Sequence, residues 1–337
     1  VKCLVTGAGG FLGGELVSRL LAHGHTDVKC FVRPGSDVTH LAQMTEAHPG
    51  ARVEFVRGNV TVRADVESAV RDVDIVFHLA AAMKGSAADM FLNTVVGTKR
   101  LLDAVAAQPG TGVVLVSSFG VYGVASLSRG ALVDESTALE PAPEKRDPYS
   151  YSKWRQETLF HEYRERYGFP GVALRPGVIV GPGGAPLSAR VGVGVFGLFL
   201  SLGGGNPLPI SYVTNCAEAL VVAARNPTAH AVINVCDDEP PSCAGYLRRY
   251  RKEVRALRTV AVPYPAMQLV SRAVERYSLR SGGQLPAVFT PYRTASLWKG
   301  NRFSNARLKS IGWRQLVPTD EGLRRTLAYW REREGRA

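Results

Sequence analysis

Lys2-Cys3-Leu4-Val5-Thr6-Gly7-Ala8-Gly9-Gly10-Phe11-Leu12-Gly13 decides how this chain folds. KCLVT is a short, apolar, strand-like run, and the helical stretch Gly10 to His23 begins just behind it. Glycines at 7, 10 and 13 let the backbone turn tightly, approach a bound group closely and pack helix against strand. A helix N-terminus then faces whatever occupies the turn, and its free N–H groups suit a pyrophosphate. Such a cluster placed directly after a clear strand is a strong sign of dinucleotide binding.

Working outward, the pattern repeats. Val28–Val32, Val53–Arg57, Asp74–Leu79 (DIVFHL) and Val113–Ser117 (VVLVS) read as strands, with helical stretches at Thr39–Ala47, Val62–Arg71 and Ala87–Ala107 between them. This alternation implies right-handed crossovers and a parallel, doubly wound α/β sheet. Near-continuous apolar strands fit burial on both faces. Around residue 181 the character changes, with GPGG at 181–184, glycines at 203–205 and prolines at 207 and 209. The apolar run Val191–Leu202 (VGVGVFGLFLSL) is too short to span a bilayer and is expected to be a buried or substrate-lining helix. Ile233–Cys236 reads as a later strand and Pro265–Arg280 as a helix carrying Leu269, Val270, Ala273, Val274 and Tyr277 on one face. Pro318 opens a terminal helix. The expected division is a nucleotide domain at 1–180, with 206–240 returning to it, and a smaller, mostly helical substrate region at 181–205 and 241–337.

Two further spots carry chemistry. Tyr149 and Lys153 (YSYSK) are four apart in a predicted helix and share a face; Tyr151 has Arg155 as its fourth neighbour and points elsewhere. A free tyrosine has a pKa near ~10, about three units too high for neutral proton exchange, and a lysine one turn away helps correct that. Ser117 and Ser118 end the strand VVLVS, where a hydroxyl can bond an oxygen as charge develops on it. At the end of the second strand, where a carboxylate would hold an NAD ribose, stand Arg33 and Ser36, which suit a 2′-phosphate. NADP is therefore the expected cofactor, with NAD the alternative.

TGAGGFLG, HLAA (His78–Ala81), SSFGVYG (Ser117–Gly123), YSYSK and LRPGVIVGPG (Leu174–Gly183) occur in the order that resembles the extended short-chain dehydrogenase/reductase superfamily. Weaker similarity runs through YVTNCAEAL, INVCDDEP and the closing IGWR and EGLRRTLAYW, so it covers essentially the whole chain. The resemblance implies a Rossmann fold, with Tyr149 as general acid or base, Lys153 lowering its pKa and holding the nicotinamide ribose, and Ser118 polarising the carbonyl. It further implies cofactor contacts at Thr6, Gly7, Gly9, Gly10, Phe11, Leu12, Gly13, Arg33, Ser36, Asn59, Val60, Leu79, Ala80, Ala81, Ser117, Tyr149, Lys153 and Pro176. Asn59 stands where the family usually has an adenine-touching aspartate. The asparagine of its NVxGT pattern falls on Thr94, with Asn93 one place early. The resemblance carries no metal, and it implies a homodimer through helices 87–107 and 148–167.

Within the family, epimerases resemble RxxNxYGP after the catalytic helix, whereas Arg175-Pro-Gly-Val178 puts valine where the asparagine stands. Phe119-Gly120 fills the place of the dehydratase Asp-Glu pair, and Tyr212-Val213-Thr214-Asn215 is closest to 3-beta-hydroxysteroid dehydrogenase and dihydroflavonol reductase relatives. The expected activity is a ketone reductase or alcohol dehydrogenase on a hydrophobic small molecule. The alternatives are a nucleotide-sugar epimerase that retains its cofactor, and a catalytically silent NAD(P) sensor.

Bulk properties bound these readings. At 337 residues, 45% hydrophobic and 21% charged, the chain is an ordinary globular protein. Its five cysteines, without a CxxC, suit buried thiols in the cytoplasm. It starts at Val1 almost inside a strand, as expected if an initiator Met or short leader has been left off, and no signal peptide is visible. The net charge of +12 is uneven: residues 241–337 hold 20 Lys and Arg against 6 Asp and Glu, or +14, which leaves −2 for the first 240. That points to a solvated basic surface or to an anionic partner, such as a diphosphate, a carrier-linked thioester or a lipid surface. No helix-turn-helix, finger or single-strand-binding pattern accompanies the charge, so nucleic acid is not expected. Arg272, Arg276 and Arg280 opposite the apolar face of the 265–280 helix leave peripheral membrane contact as a minor expectation.

Overall fold

The computed structural model describes residues 1–281 and 289–334. Strands β1 (Lys2–Thr6), β2 (Asp27–Val32), β3 (Arg52–Arg57), β4 (Ile75–His78) and β5 (Gly112–Val116) alternate with helices α1 (Phe11–Ala22), α2 (Thr39–Glu46) and α3 (Arg63–Val70). Between β4 and β5 lie α4 (Ala87–Phe91), a π-type turn over Leu92–Val96 and α5 (Gly97–Ala106). Then come β6 (Leu132–Val133), α6 (Pro148–Tyr167), β7 (Gly171–Pro176), β8 (Val178–Val180), β9 (Gly192–Val195), β10 (Leu198–Ser201), β11 (Ile210–Tyr212), α7 (Val213–Ala224) and β12 (Val232–Val235). The C-terminal part adds α8 (Cys243–Glu253), β13 (Thr259–Ala261), α9 (Tyr264–Arg280), α10 (Pro291–Trp298), β14 (Arg302–Phe303), α11 (Ala306–Ser310) and α12 (Thr319–Glu334).

Seven parallel strands form one sheet in the order β12-β7-β5-β4-β1-β2-β3. The order reverses direction between β1 and β4, and ligands of such sheets bind in the crevice at that switch point, outside the strand C-termini. Both faces are covered. Val5, Leu16, Leu20 and Leu220 are among the fully buried residues of one cluster, and Leu4, Leu102, Leu115 and Phe160 of the other. All five cysteines are buried free thiols. Among the described residues no helix is long and apolar enough to cross a membrane.

The helix expected at Val191–Leu202 is instead an antiparallel hairpin, β9 against β10, with Leu200 opposite Val193 and Ser201 opposite Gly192. Glycines at 192, 194 and 197 oppose a helix, and they alternate with valines at the period of a strand. The turn uses Phe196 and Gly197, both at positive φ (48° and 77°), which matches a two-residue hairpin turn. At Gly192 a Cβ would lie 2.0 Å from the Leu200 carbonyl oxygen, so the close strand pairing demands glycine there.

Candidate active site

The glycine turn is held from below. Gly7 has φ +73°, and its N–H donates to the Phe31 carbonyl at 3.1 Å. At Gly13 a Cβ would sit 2.1 Å from the Gly7 carbonyl oxygen, so α1 can approach β1 only without a side chain there. Helix α1 starts at Gly10 with no side-chain cap and no acidic residue in its first turn. Its first N–H groups are therefore free for an anion. Phe11 and Leu12 follow, with the Phe11 ring against the GPGG segment. These features fit the pyrophosphate of a nicotinamide dinucleotide, and Thr6 to Gly13 would hold it.

Around this turn the other cofactor candidates fall into place. Arg33 is exposed at the end of β2, and its guanidinium has no partner among the described residues. Ser36 donates its N–H to the Arg33 carbonyl (2.9 Å) and borders Gly9. Arg57, at the end of β3, bonds the Pro34 and Ser36 carbonyls (2.6 and 3.3 Å) and brings a second cation that the sequence reading missed. Asn59 accepts from the N–H and hydroxyl of Thr61 through Oδ1, while its own N–H donates to Asp65. Val60 packs on Gly97, Ala80 lies against Gly7, and the N–H groups of Leu79 and Ala80 donate to the Thr6 hydroxyl at 3.2 Å. Leu79 and Ala81 are half-buried, and Pro176 is buried at the end of β7.

Tyr149 lies in the first turn of α6, whose N-cap Asp147 accepts from the Ser150 N–H at 2.9 Å. The Tyr149 hydroxyl lies close enough to Ser118, which follows β5, for the serine to favour its ionised form. Ser118 Oγ accepts from the Gly120 N–H (3.0 Å), which fixes its direction. Burial pushes the Tyr149 phenol up to about 12 against the influence of Ser118, and the nearby Asp147 charge adds to the rise. Lys153, one turn on, donates to the Val116 carbonyl (2.7 Å) and Gln156 Oε1 (2.8 Å), and burial brings its pKa down to about 7. An ammonium has three donors, so one remains for a ligand. Tyr151 turns away and packs edge-on against Phe91.

A buried chain of hydrogen bonds connects Lys153 to the glycine turn. Gln156 Nε2 donates to Thr98 Oγ1 (2.7 Å), His78 Nε2 meets the same oxygen (2.8 Å), and His78 Nδ1 meets Thr6 Oγ1 (2.8 Å). Thr98 spends its own proton on the Thr94 carbonyl (2.5 Å). His78 must therefore donate from Nε2 and accept from Thr6 at Nδ1. Burial holds His78 neutral, with its pKa down at about 3. Thr94 is fully buried and its hydroxyl accepts from the Ala82 N–H (3.1 Å), while Asn93 bonds the Asp89 carbonyl on its own helix. The π-type turn over Leu92–Val96 makes room for this, as such turns often do near functional sites.

Ser117 is committed elsewhere. Its hydroxyl donates to Glu157, which also receives Arg175, and its N–H donates to the Leu174 carbonyl (2.7 Å), leaving Ser117 no free donor for a cofactor. Burial raises the Glu157 pKa, but His161, Arg175 and Ser117 outweigh it and hold the carboxyl at about 2. The Arg175 guanidinium lies 4.5 Å from the Tyr122 ring centroid, and Tyr122 donates to Asn234 Oδ1 (2.6 Å).

Next to Ser118, the buried Phe119 stacks on Phe303 (centroids 4.0 Å apart). Arg190, from the loop before β9, lies over the Phe303 ring at 5.6 Å. It is half-buried, and its guanidinium has no acidic partner among the described residues. Burial, with the neighbouring Arg146 charge, brings its pKa down to about 10.

The comparisons agree with this geometry. The model of the NAD-dependent epimerase/dehydratase family matches residues 3–236. The chain is 31% identical over 191 residues to the uncharacterized UDP-glucose epimerase YtcB of Bacillus subtilis, spanning 54% of this chain and 58% of that protein. It is 27% identical over 318 residues to cinnamoyl-CoA reductase 1 of Arabidopsis thaliana, covering 91% of this chain and 83% of that one. The solved structure of a UDP-glucuronic acid 4-epimerase from Bacillus cereus with NAD superposes with a TM-score of 0.72 at 20% identity, over 99% of this chain and 100% of the other. A glycine turn on a seven-stranded parallel sheet, a family match over most of the chain, and relatives named both as reductases and as epimerases place this chain in the NAD-dependent epimerase/dehydratase family, as an NAD(P)-dependent enzyme of the extended short-chain dehydrogenase/reductase type.

Proposed function

We propose that the chain is an NADP(H)-dependent oxidoreductase that interconverts a carbonyl and a hydroxyl on a hydrophobic small molecule. The observation that carries this is that Tyr149 lies close to Ser118 and one helical turn from a buried Lys153, with the Phe119–Phe303 stack next to Ser118. Tyr149 gives its proton to the substrate oxygen in reduction and takes it back in oxidation. Ser118, steered by the Gly120 N–H, donates to the same oxygen as charge builds there. Lys153, pinned by Val116 and Gln156, favours the phenolate when charged and would have its third N–H left to hold the cofactor ribose. The nicotinamide supplies or accepts the hydride when bound. Arg33, unpartnered at the end of β2 with Arg57 beside it, favours a 2′-phosphate.

Arg190 favours a second reading. A half-buried guanidinium with no ion-pair partner among the described residues calls for an anion. The diphosphate of a nucleotide sugar would meet that need, as would an acyl group linked to a phosphate-bearing carrier. On this reading the chain is an epimerase, as its relative YtcB is named.

The test pairs calorimetric titration of NADPH and NADH, on the wild type and Arg33→Asp, with NADPH consumption over a panel of hydrophobic ketones and aldehydes. Preference for NADPH that the variant reverses, with turnover reduced on the order of a hundredfold or more by Tyr149→Phe, supports the reductase. Cofactor retained through purification, no net NADPH use, and interconversion of UDP-sugars would replace it with the epimerase.

A further inference from the structure

Helix α9 is built inside out. Toward α10 it presents Ser271, whose hydroxyl meets that of Thr294 at 2.6 Å in a buried contact, and Gln268, which donates to the Pro291 carbonyl at 3.2 Å. Met267 is the only apolar side chain it fully buries among the described residues. Its larger apolar residues face outward: Leu269 is 64% exposed, Tyr277 61% and Leu279 76%, and Val270 and Ala273 are exposed as well. Val270, Ala273 and Tyr277 follow helical spacing and form a stripe, with Leu269 alongside. Arg272, Arg276 and Arg280 are exposed on the flank of that stripe. A helix in contact with water alone gains nothing from this arrangement, because its polar residues are spent on an interior that apolar ones would fill.

The neighbouring sheet adds exposed apolar residues of its own. Leu200 and Val193 pack against the cluster of Leu202, Met267 and Trp298, beneath α9. Leu198 lies two residues from Leu200, and Val260 lies directly opposite it, so both share that sheet face; both are exposed. At the tip of the β9–β10 hairpin, Phe196 is fully exposed and sits at φ +48°, an uncommon conformation for a bulky side chain.

We propose that α9 and the Phe196 tip are a docking surface for an anionic lipid bilayer. The helix lies in the interface with Leu269, Val270 and Tyr277 in the acyl boundary and its arginines on lipid phosphates. Charge argues for this occupant. Three arginines face one half-buried Glu275 on α9, within a region of 97 residues that carries +14. A second copy, docked face to face by a two-fold axis, would bring the two arginine rows together. Among the described residues no helix can span a membrane, so contact is peripheral. The inference needs neither the cofactor nor the substrate reading above.

Co-sedimentation of the full chain with phosphatidylcholine vesicles, with and without phosphatidylglycerol and at low and high salt, tests it. The wild type pellets with the anionic vesicles at low salt and is released by salt. Arg272→Glu with Arg276→Glu, and separately Leu269→Ser with Tyr277→Ser, each reduce partitioning on the order of tenfold or more. All four positions are exposed, so thermal unfolding of both variants stays at the wild-type midpoint. A wild type that stays in the supernatant with every vesicle overturns the proposal. So does binding that neither variant weakens. Sedimentation showing a wild-type dimer that Leu269→Ser with Tyr277→Ser dissociates, without vesicle binding, assigns the face to a second copy and overturns it too.

Discussion

Lys153 is steered by Gln156 on the same helix, whose Oε1 accepts one ammonium hydrogen bond while its Nε2 ties back to Thr98, His78 and Thr6. Gln156→Leu removes both links and frees the lysine to move. We expect kcat to fall on the order of tenfold to a hundredfold, with NADPH affinity changed little and the alkaline limb of the pH–rate profile displaced. Steady-state kinetics across pH checks this; an unchanged profile would show that Val116 alone positions Lys153. The contrast with Tyr149 and Lys153 also explains what the sequence discloses. Those two share a helix face at a spacing any reader can count. Gln156 and Thr98 are 58 residues apart and meet only because α5 and α6 pack side by side. A glutamine at three residues from the lysine carries no mark of its own. Ser117 shows the same limit, since its bond to Glu157 spans 40 residues and spends its hydroxyl proton.

At the scale of elements, the strands and the glycine turn were legible because local pattern and burial agree there. Where they disagree, reading failed. VGVGVFGLFLSL has the composition of a buried helix, but its glycines at 192, 194 and 197 fit a tight hairpin, and tertiary pairing with β13 then selects it. Nothing local says which face of α9 turns inward, because its partner α10 offers a hydroxyl and a carbonyl beside the apolar Trp298. In the glycine turn the requirement is graded and can be measured. A methyl group at position 13 would meet backbone at 2.1, 2.8 and 2.9 Å, and neither β1 nor α1 can yield without moving the other. Gly13→Ala is expected to cost about 1–3 kcal/mol or more in urea unfolding. At position 9 the nearest atoms lie at 3.6–3.9 Å, ordinary contact, so Gly9→Ala leaves stability within about 0.5 kcal/mol. Equal losses at both positions would refute the packing argument.

Over the whole molecule, two buried groups pull stability in opposite directions with pH. His78 has its pKa held down to about 3, from 6.5, by burial and then by the Lys153 charge. As pH falls below 6.5 the unfolded chain gains a proton there that the folded chain refuses, so stability drops until about pH 3. Asp237 behaves oppositely. Burial, aided by the Asp238 charge, raises it from 3.8 to about 7, although the Tyr212 N–H and Asn215 favour its ionised form. As pH rises above 3.8 the unfolded chain releases a proton that the folded chain keeps until about pH 7, so stability drops on that side. Each contributes roughly one kcal/mol per pH unit inside its window, and the windows overlap. Their slopes therefore offset one another from about pH 4 to 6.5 in the wild type, and substitution separates them. His78→Gln should gain on the wild type as pH falls below 6.5. Asp237→Asn, which keeps an oxygen for the Tyr212 N–H, should gain on it as pH rises from 3.8 to 7. Urea midpoints measured at half-unit steps would show the two difference curves sloping in opposite senses. Curves that run parallel to the wild type would mean that neither group keeps its buried charge state in the fold, and the tautomer assigned to His78 would fall with them.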